Sequence, residues 1–225
     1  MSAFFVTATG TDIGKTFVTA GLIRHLREHG KSVRAFKPIV SGFDIATAAI
    51  SDPGVLLGAM DEPITPESLD RVSPWRFAAP LSPDMAAARE GKTLDFDAIL
   101  AACRAEIGES ILFIEGVGGV MVPLDAHRTV LDLMASLKLP LILVAGSYLG
   151  AISHTLTALD ALRRRGLTIA ALVVNDSGDG AVPLDETIST LARFAPGVRI
   201  AAIPRVKSWL NAKAELAELA AILGL

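Results

Sequence analysis

The stretch TGTDIGKT, Thr9 to Thr16, decides how the rest of this 225-residue chain is read. It follows AFFVTA, Ala3 to Ala8, an aromatic and β-branched run that reads as a strand. It precedes a helical pattern from Lys15 to about His29, with Phe17, Val18, Ile23 and Leu26 on one face and Gly30 at its end. Strand, loop and helix in that order, with Gly14, Lys15 and Thr16 at the junction, form the context of a phosphate loop. Backbone N–H groups at a helix N-terminus cradle phosphate oxygens. The Lys ammonium reaches between phosphates, and the hydroxyl after it can ligate Mg²⁺. The usual spacing asks for glycine where Thr9 stands, so Gly10, one residue later, is expected to supply the flexible backbone.

Outward from this loop the chain alternates short apolar runs with longer helical patterns. VRAFKP (Val33 to Pro38), ILFIEG, PLILVA, IAALVVN and RIAAIP read as further strands. Helices are expected at Asp52 to Met60, from Asp95 or Asp97 to Ile107, and at Thr129 to Leu137, Ile152 to Arg165, Asp185 to Phe194 and Asn211 to Leu223. From Glu62 to Lys92 five prolines interrupt the pattern, predicting loops and short helical pieces on the rim. Near-continuous apolar strands need cover on both faces, which predicts a mostly parallel central sheet with helices on each side. Residues 1–225 are read as one such α/β domain. Ligands in such sheets sit beyond the carboxyl ends of the strands.

Apolar residues make up 51% of the chain and charged residues 20%, which excludes disorder. The longest apolar stretch, Leu139 to Gly146, is far short of a membrane span. A formal charge of −3 argues against broad attraction to nucleic acid or anionic lipid. Cys103 is the only cysteine, so no intrachain disulfide forms, and its setting in ILAACRAEI fits a buried small hydrophobe. The N-terminus lacks the pattern of a signal peptide, which makes the cytoplasm the expected compartment. The surplus of apolar residues points weakly to an oligomer.

Three further strand ends carry chemistry. Lys37 closes the second strand, with Ser41 close by in FKPIVSG, and two lysines converging on one phosphate would stabilise transferred phosphoryl charge. Glu115 follows four apolar residues and precedes GVGG, where a carboxylate can bind Mg²⁺ directly or through water, and where the glycines allow close backbone approach to a substrate or simply make a turn. Asp52 and Asp44 are rival carboxylates, either of which is equally readable as a cap or turn residue. Asn175 closes a strand where it could meet an adenine edge or simply make a turn.

Taken in order, TGTDIGKT, FKPIVSG, APLSPDMAA, IEGVGG, VAGSYLGAISHTLTAL, LVVND and IPRV resemble the dethiobiotin synthetase family over essentially the whole chain. The resemblance implies a P-loop nucleoside-triphosphatase-like fold and an ATP- and Mg²⁺-dependent reaction. In it 7,8-diaminononanoate and CO₂ form a carbamate, the carbamate is phosphorylated, and ring closure gives dethiobiotin with release of ADP and phosphate. It also implies catalytic roles for Thr11, Lys15 and Lys37, and nucleotide contacts from Asp12, Ile13, Gly14, Lys15, Thr16, Glu115, Asn175, Pro204, Arg205 and Val206. Thr16, Asp52 and Glu115 become the metal ligands, and Ser41, Gly118 and Gly150 bind substrate. Gly150 belongs to a helix start that receives the substrate carboxylate across a homodimer interface. The chain departs from the family pattern at Ala8, Gly10 and Asp84, which puts local loop geometry in question. A cobyrinate-diamide-type amidotransferase would need a glutaminase domain that the length leaves no room for. ParA/MinD-like switches carry a second loop lysine where this chain has Gly10.

Overall fold

The computed structural model describes residues 2–178 and 182–225. The first half contains β1 (Ala3–Ala8), α1 (Lys15–Glu28), β2 (Val33–Phe36), β3 (Ile39–Ser41), a 3₁₀ segment (Ile45–Ile50), α2 (Asp52–Ala59), α3 (Pro66–Val72), β4 (Trp75–Phe77), α4 (Pro83–Arg89) and α5 (Phe96–Ala105). The second contains β5 (Ile111–Glu115), α6 (Val130–Leu137), β6 (Leu141–Gly146), α7 (Ala151–Arg164), β7 (Ile169–Asn175), α8 (Leu184–Phe194), β8 (Ile200–Ile203), a short 3₁₀ turn (Trp209–Ala212) and α9 (Lys213–Leu223).

Six strands form one sheet in the order β2-β5-β1-β6-β7-β8, and every pairing in it is parallel. Side chains alternate across a strand, and β1 shows the result. Phe4, Val6 and Ala8 enter a core with Val18 and Leu22 of α1, Leu56 of α2 and Leu216 of α9. Phe5 enters the opposite core with Ile99 and Cys103 of α5, Met134 of α6 and Leu159 of α7. Both faces are thus covered, as the apolar strands require. Cys103 is fully buried, and burial pushes its thiol up to about 12. The chain goes to one side of β1 for β2 and β5 and to the other for β6, β7 and β8. The direction therefore reverses at β1, the place where an open α/β sheet forms its ligand crevice.

Two expectations need correction. The strand expected to run to Pro38 ends at Phe36, because the Lys37 N–H turns out of the ladder and donates to Val72 O at 2.9 Å. The rim between Glu62 and Lys92 holds the expected short helices but also β4, which pairs in parallel with β3 as Ile39↔Trp75 and Ser41↔Phe77. This small second sheet fixes the segment carrying Ser41.

α2 is pressed tightly against the 3₁₀ segment. A Cβ on Gly54 would lie 1.9 Å from the carbonyl oxygen of Ala48, a backbone atom that cannot rotate away. Since α2 begins with Asp52, Gly54→Ala is expected to shift that residue and to cost about 1–3 kcal/mol of stability by overpacking. Urea denaturation checks this; an unchanged midpoint would mean that the 3₁₀ segment yields freely.

Candidate active site

The site begins with the phosphate loop. Thr9 N–H donates to Val144 O at 3.0 Å, so the residue standing in place of a glycine simply extends the β1 ladder. The left-handed backbone of this loop does not fall at Gly10. The positive φ values fall at Asp12 (57°) and Gly14 (96°), and Gly14 is the N-cap of α1. The close approach here is set by Gly119, in the loop after β5: a Cβ on it would come within 3.3 Å of Gly10 Cα, whereas a Cβ on Gly10 would meet only Ile13, at 3.7 Å. No side chain caps the first turn of α1, which leaves its N–H groups for an anion. Lys15 Nζ donates to Gly10 O at 3.3 Å, so the loop wraps its own ammonium.

Glu115 stands at the end of β5, paired in register with Val6, and is completely buried. Its Oε1 accepts from Thr16 Oγ1 at 2.6 Å and from Lys37 Nζ at 2.8 Å. Lys37 Nζ also lies 2.7 Å from Asp52 Oδ2. Thr16, Lys37, Asp52 and Glu115 are therefore one connected cluster, with Lys15 beside it. Asp44 is not part of it: its carboxylate caps the 3₁₀ segment by accepting from Ala46 N–H at 2.9 Å. Of the two rival carboxylates, Asp52 joins the cluster and Asp44 does not.

The electrostatics follow from this geometry. Burial pushes the Lys37 ammonium down, but Glu115 and Asp52 together outweigh it and hold the lysine charged above its ordinary value. Burial pushes Asp52 up, and Lys37 with the Thr16 hydroxyl more than reverses that. Lys15 has no such close partner. Burial first, and the Lys37 charge second, lower it to about 8.

Glu115 Oε2 is buried with no hydrogen-bond partner among the described residues. A fully desolvated carboxylate oxygen left unpaired is costly, and hard oxygen donors suit Mg²⁺. With Thr16 Oγ1 and the Asp52 carboxylate it makes an all-oxygen donor set, so these residues fit Mg²⁺.

Two cavities flank the loop and share Asp12, Gly14 and Phe17. One, about 320 Å³, opens over Lys15, Thr16, Lys37 and Asp52 and is closed by Thr11, Ser41 and Gly118. The other, about 430 Å³, lies over the ends of β7 and β8 and is lined by Ile13, Asn175, Pro204, Arg205 and Val206. Asn175 Nδ2 donates to Ile13 O at 2.8 Å, while its Oδ1 is buried without a partner among the described residues. Gly150, the N-cap of α7, lines neither cavity. Tyr148, which the sequence reading passed over, lines the larger one. Its position just after a strand end was the only signal.

Fold and site together define a P-loop α/β protein that binds a nucleoside triphosphate with Mg²⁺. The chain matches the AAA domain family over residues 2–213. It is 48% identical over 218 residues to the ATP-dependent dethiobiotin synthetase BioD of Acidiphilium cryptum, covering 94% of this chain and 98% of that one. It is 50% identical over 221 residues to the enzyme of the same name from Phenylobacterium zucineum, covering 96% and 94%. The chain belongs to the ATP-dependent dethiobiotin synthetase family. Among solved structures, the septum site-determining protein MinD of Pyrococcus horikoshii, complexed with Mg-ADP, is similar with a TM-score of 0.58 at 18% identity, covering 97% of this chain and 95% of that one. The cell division ATPase MinD of Pyrococcus furiosus is similar with a TM-score of 0.56 at 16% identity, covering 97% and 100%. Those two likenesses concern the fold alone.

The lowered Lys15 gives a signed pH prediction. A β-phosphate beside the ammonium returns its pKa upward, so ADP binding takes up a proton. Affinity for ADP is expected to fall as pH rises through about 8, by up to about tenfold per unit. Calorimetry in buffers of different ionisation enthalpy measures the uptake; binding with no proton uptake near that pH would contradict the assignment.

Proposed function

We propose that this chain joins CO₂ to 7,8-diaminononanoate at the expense of ATP, closing the cyclic urea of dethiobiotin and releasing ADP and phosphate. The observation that carries this reading is the buried, charged Lys37, which opens into the same cavity as Lys15 and Ser41 and is held by two carboxylates.

One substrate amine adds to CO₂, loses a proton and becomes a carbamate. A carbamate oxygen attacks the γ-phosphorus and displaces ADP. The second amine then attacks the carbonyl carbon of the carbamic-phosphoric anhydride, expels phosphate and closes the ring. No step needs a side-chain nucleophile, so the protein's task is positioning and charge neutralisation. The N–H groups from Gly14 to Thr16 and the Lys15 ammonium hold the phosphates, and Thr11 stands over them from the cavity wall. Lys37 attends the carbamate oxygen and the γ-phosphate, with Ser41 and Gly118 shaping the substrate side. Thr16, Glu115 and Asp52 hold Mg²⁺, which when bound neutralises charge on the phosphates.

Nucleotide contacts come from Asp12, Ile13 and Gly14 on one side and Pro204, Arg205 and Val206 on the other. The free Oδ1 of Asn175 suits an exocyclic amine donor such as that of adenine. The active form is a homodimer in the cytoplasm, in which the substrate carboxylate meets the α7 start at Gly150 of the partner subunit. Two features support that arrangement: Gly150 lies outside both cavities of its own protomer, and neighbouring Leu149 is 84% exposed.

Protein supplied with MgATP, bicarbonate and 7,8-diaminononanoate is expected to release phosphate in step with dethiobiotin. Phosphate without the cyclic urea would reject the reaction. Lys37→Gln is expected to lower turnover at least about 100-fold while ADP affinity stays within about threefold. Turnover equal to the wild type would remove Lys37 from the chemistry.

A further inference from the structure

The strand order places four loop ends in a row at the carboxyl edge of the sheet: the phosphate loop after β1, Tyr148 after β6, Asn175 at the end of β7, and Pro204 after β8. A nucleotide with its phosphates at Lys15 and its base between Asn175 and Pro204 must cross the end of β6. Tyr148 stands at that crossing and lines the larger cavity.

The ring is fixed from both sides. A Cβ on Gly146 would come within 2.9 Å of it, so it lies directly against the strand end. Its hydroxyl shares a 2.8 Å hydrogen bond with Nδ1 of His154, in the first turns of α7, and the two rings lie 5.7 Å apart. Ser147 and Ser177 clip the loops beneath: Ser147 N–H donates to Ser177 Oγ at 3.0 Å, and Ser177 N–H donates to Ser147 Oγ at 3.1 Å. Arg205 then donates to Ser177 O at 3.0 Å, stitching the β8 loop to the same point. A lone exposed hydrogen bond would carry little. Here it orients an aromatic ring that already lies against the strand end at the cavity wall.

We infer that Tyr148 is a nucleotide-binding side chain that packs against the ribose, and that His154 is the positioning residue that holds it there. The inference rests on the nucleotide site proposed above. It assigns a role to the sole tyrosine of the chain and to a histidine whose position otherwise suggests only a surface residue. An aromatic face supplies apolar contact without reading the base, so the effect falls on nucleosides generally and not on phosphates.

Equilibrium binding of ADP and of inorganic tripolyphosphate tests this without requiring turnover. Tyr148→Ala is expected to weaken ADP about tenfold and to leave tripolyphosphate within about twofold. Unchanged ADP binding would overturn the proposal, and so would an equal loss for both ligands, which would mean that the phosphate loop had been disturbed. Tyr148→Phe keeps the ring and loses its anchor, and His154→Ala removes the same anchor from the other end. Each is expected to weaken ADP about threefold, with the double variant no worse than either, and His154→Gln is expected to recover most of the loss. Additive losses would overturn the role given to His154. A wild-type protein that binds neither ligand would refute the nucleotide site itself, an outcome distinct from failure of the tyrosine.

Discussion

The arrangement depends on one carboxylate that has nowhere to go. Glu115 is buried at the end of β5, and a buried carboxylate is tolerated only when cations and hydrogen-bond donors surround it. Thr16 and Lys37 supply these at 2.6 and 2.8 Å. Three segments that are distant in sequence must therefore meet: the start of α1, the turn after β2 and the end of β5. They meet because β2, β5 and β1 are neighbours in the sheet. Lys37 then draws in Asp52, which brings α2 to the cavity rim. Two cations and two carboxylates nearly balance. A polyphosphate arriving with its own metal therefore enters a site already organised for charge, with one carboxylate oxygen still unsatisfied.

Much of this was legible in the sequence, for identifiable reasons. The strands of the central sheet read clearly because burial on both faces makes them continuously apolar. Glu115 stood out because a carboxylate after four apolar residues has no structural excuse. β4 did not read as a strand, because Trp75-Arg76-Phe77 is short, lies among prolines and pairs only with the equally short β3. The choice between Asp44 and Asp52 was not written locally. Both precede small helical elements, and only the position of Lys37 separates them. Which loop residues turn left-handed was not written in the sequence, since Asp12 adopts that backbone as well as Gly14. Tyr148 went unnoticed because a single aromatic after a strand carries no pattern, and its meaning depends on strand order.

The same fold appears in proteins named for septum-site determination, which shows how little the architecture alone decides. What separates this chain is placed on the shared scaffold. Gly10 lies against Gly119. Lys15, Lys37 and Asp52 line a cavity on one side of the loop. A second cavity lies on the other side, over β7 and β8. The phosphate loop lies between the two, and Asp12, Gly14 and Phe17 line both.

Oxygen tracing tests the central claim, that this cluster activates a carbamate through its own oxygen, most directly. With ¹⁸O-labelled CO₂ supplied over a time too short for exchange with water, each phosphate released should carry one labelled oxygen. The other should remain in the urea carbonyl of the product. Phosphate free of label, formed in step with dethiobiotin, would contradict the account.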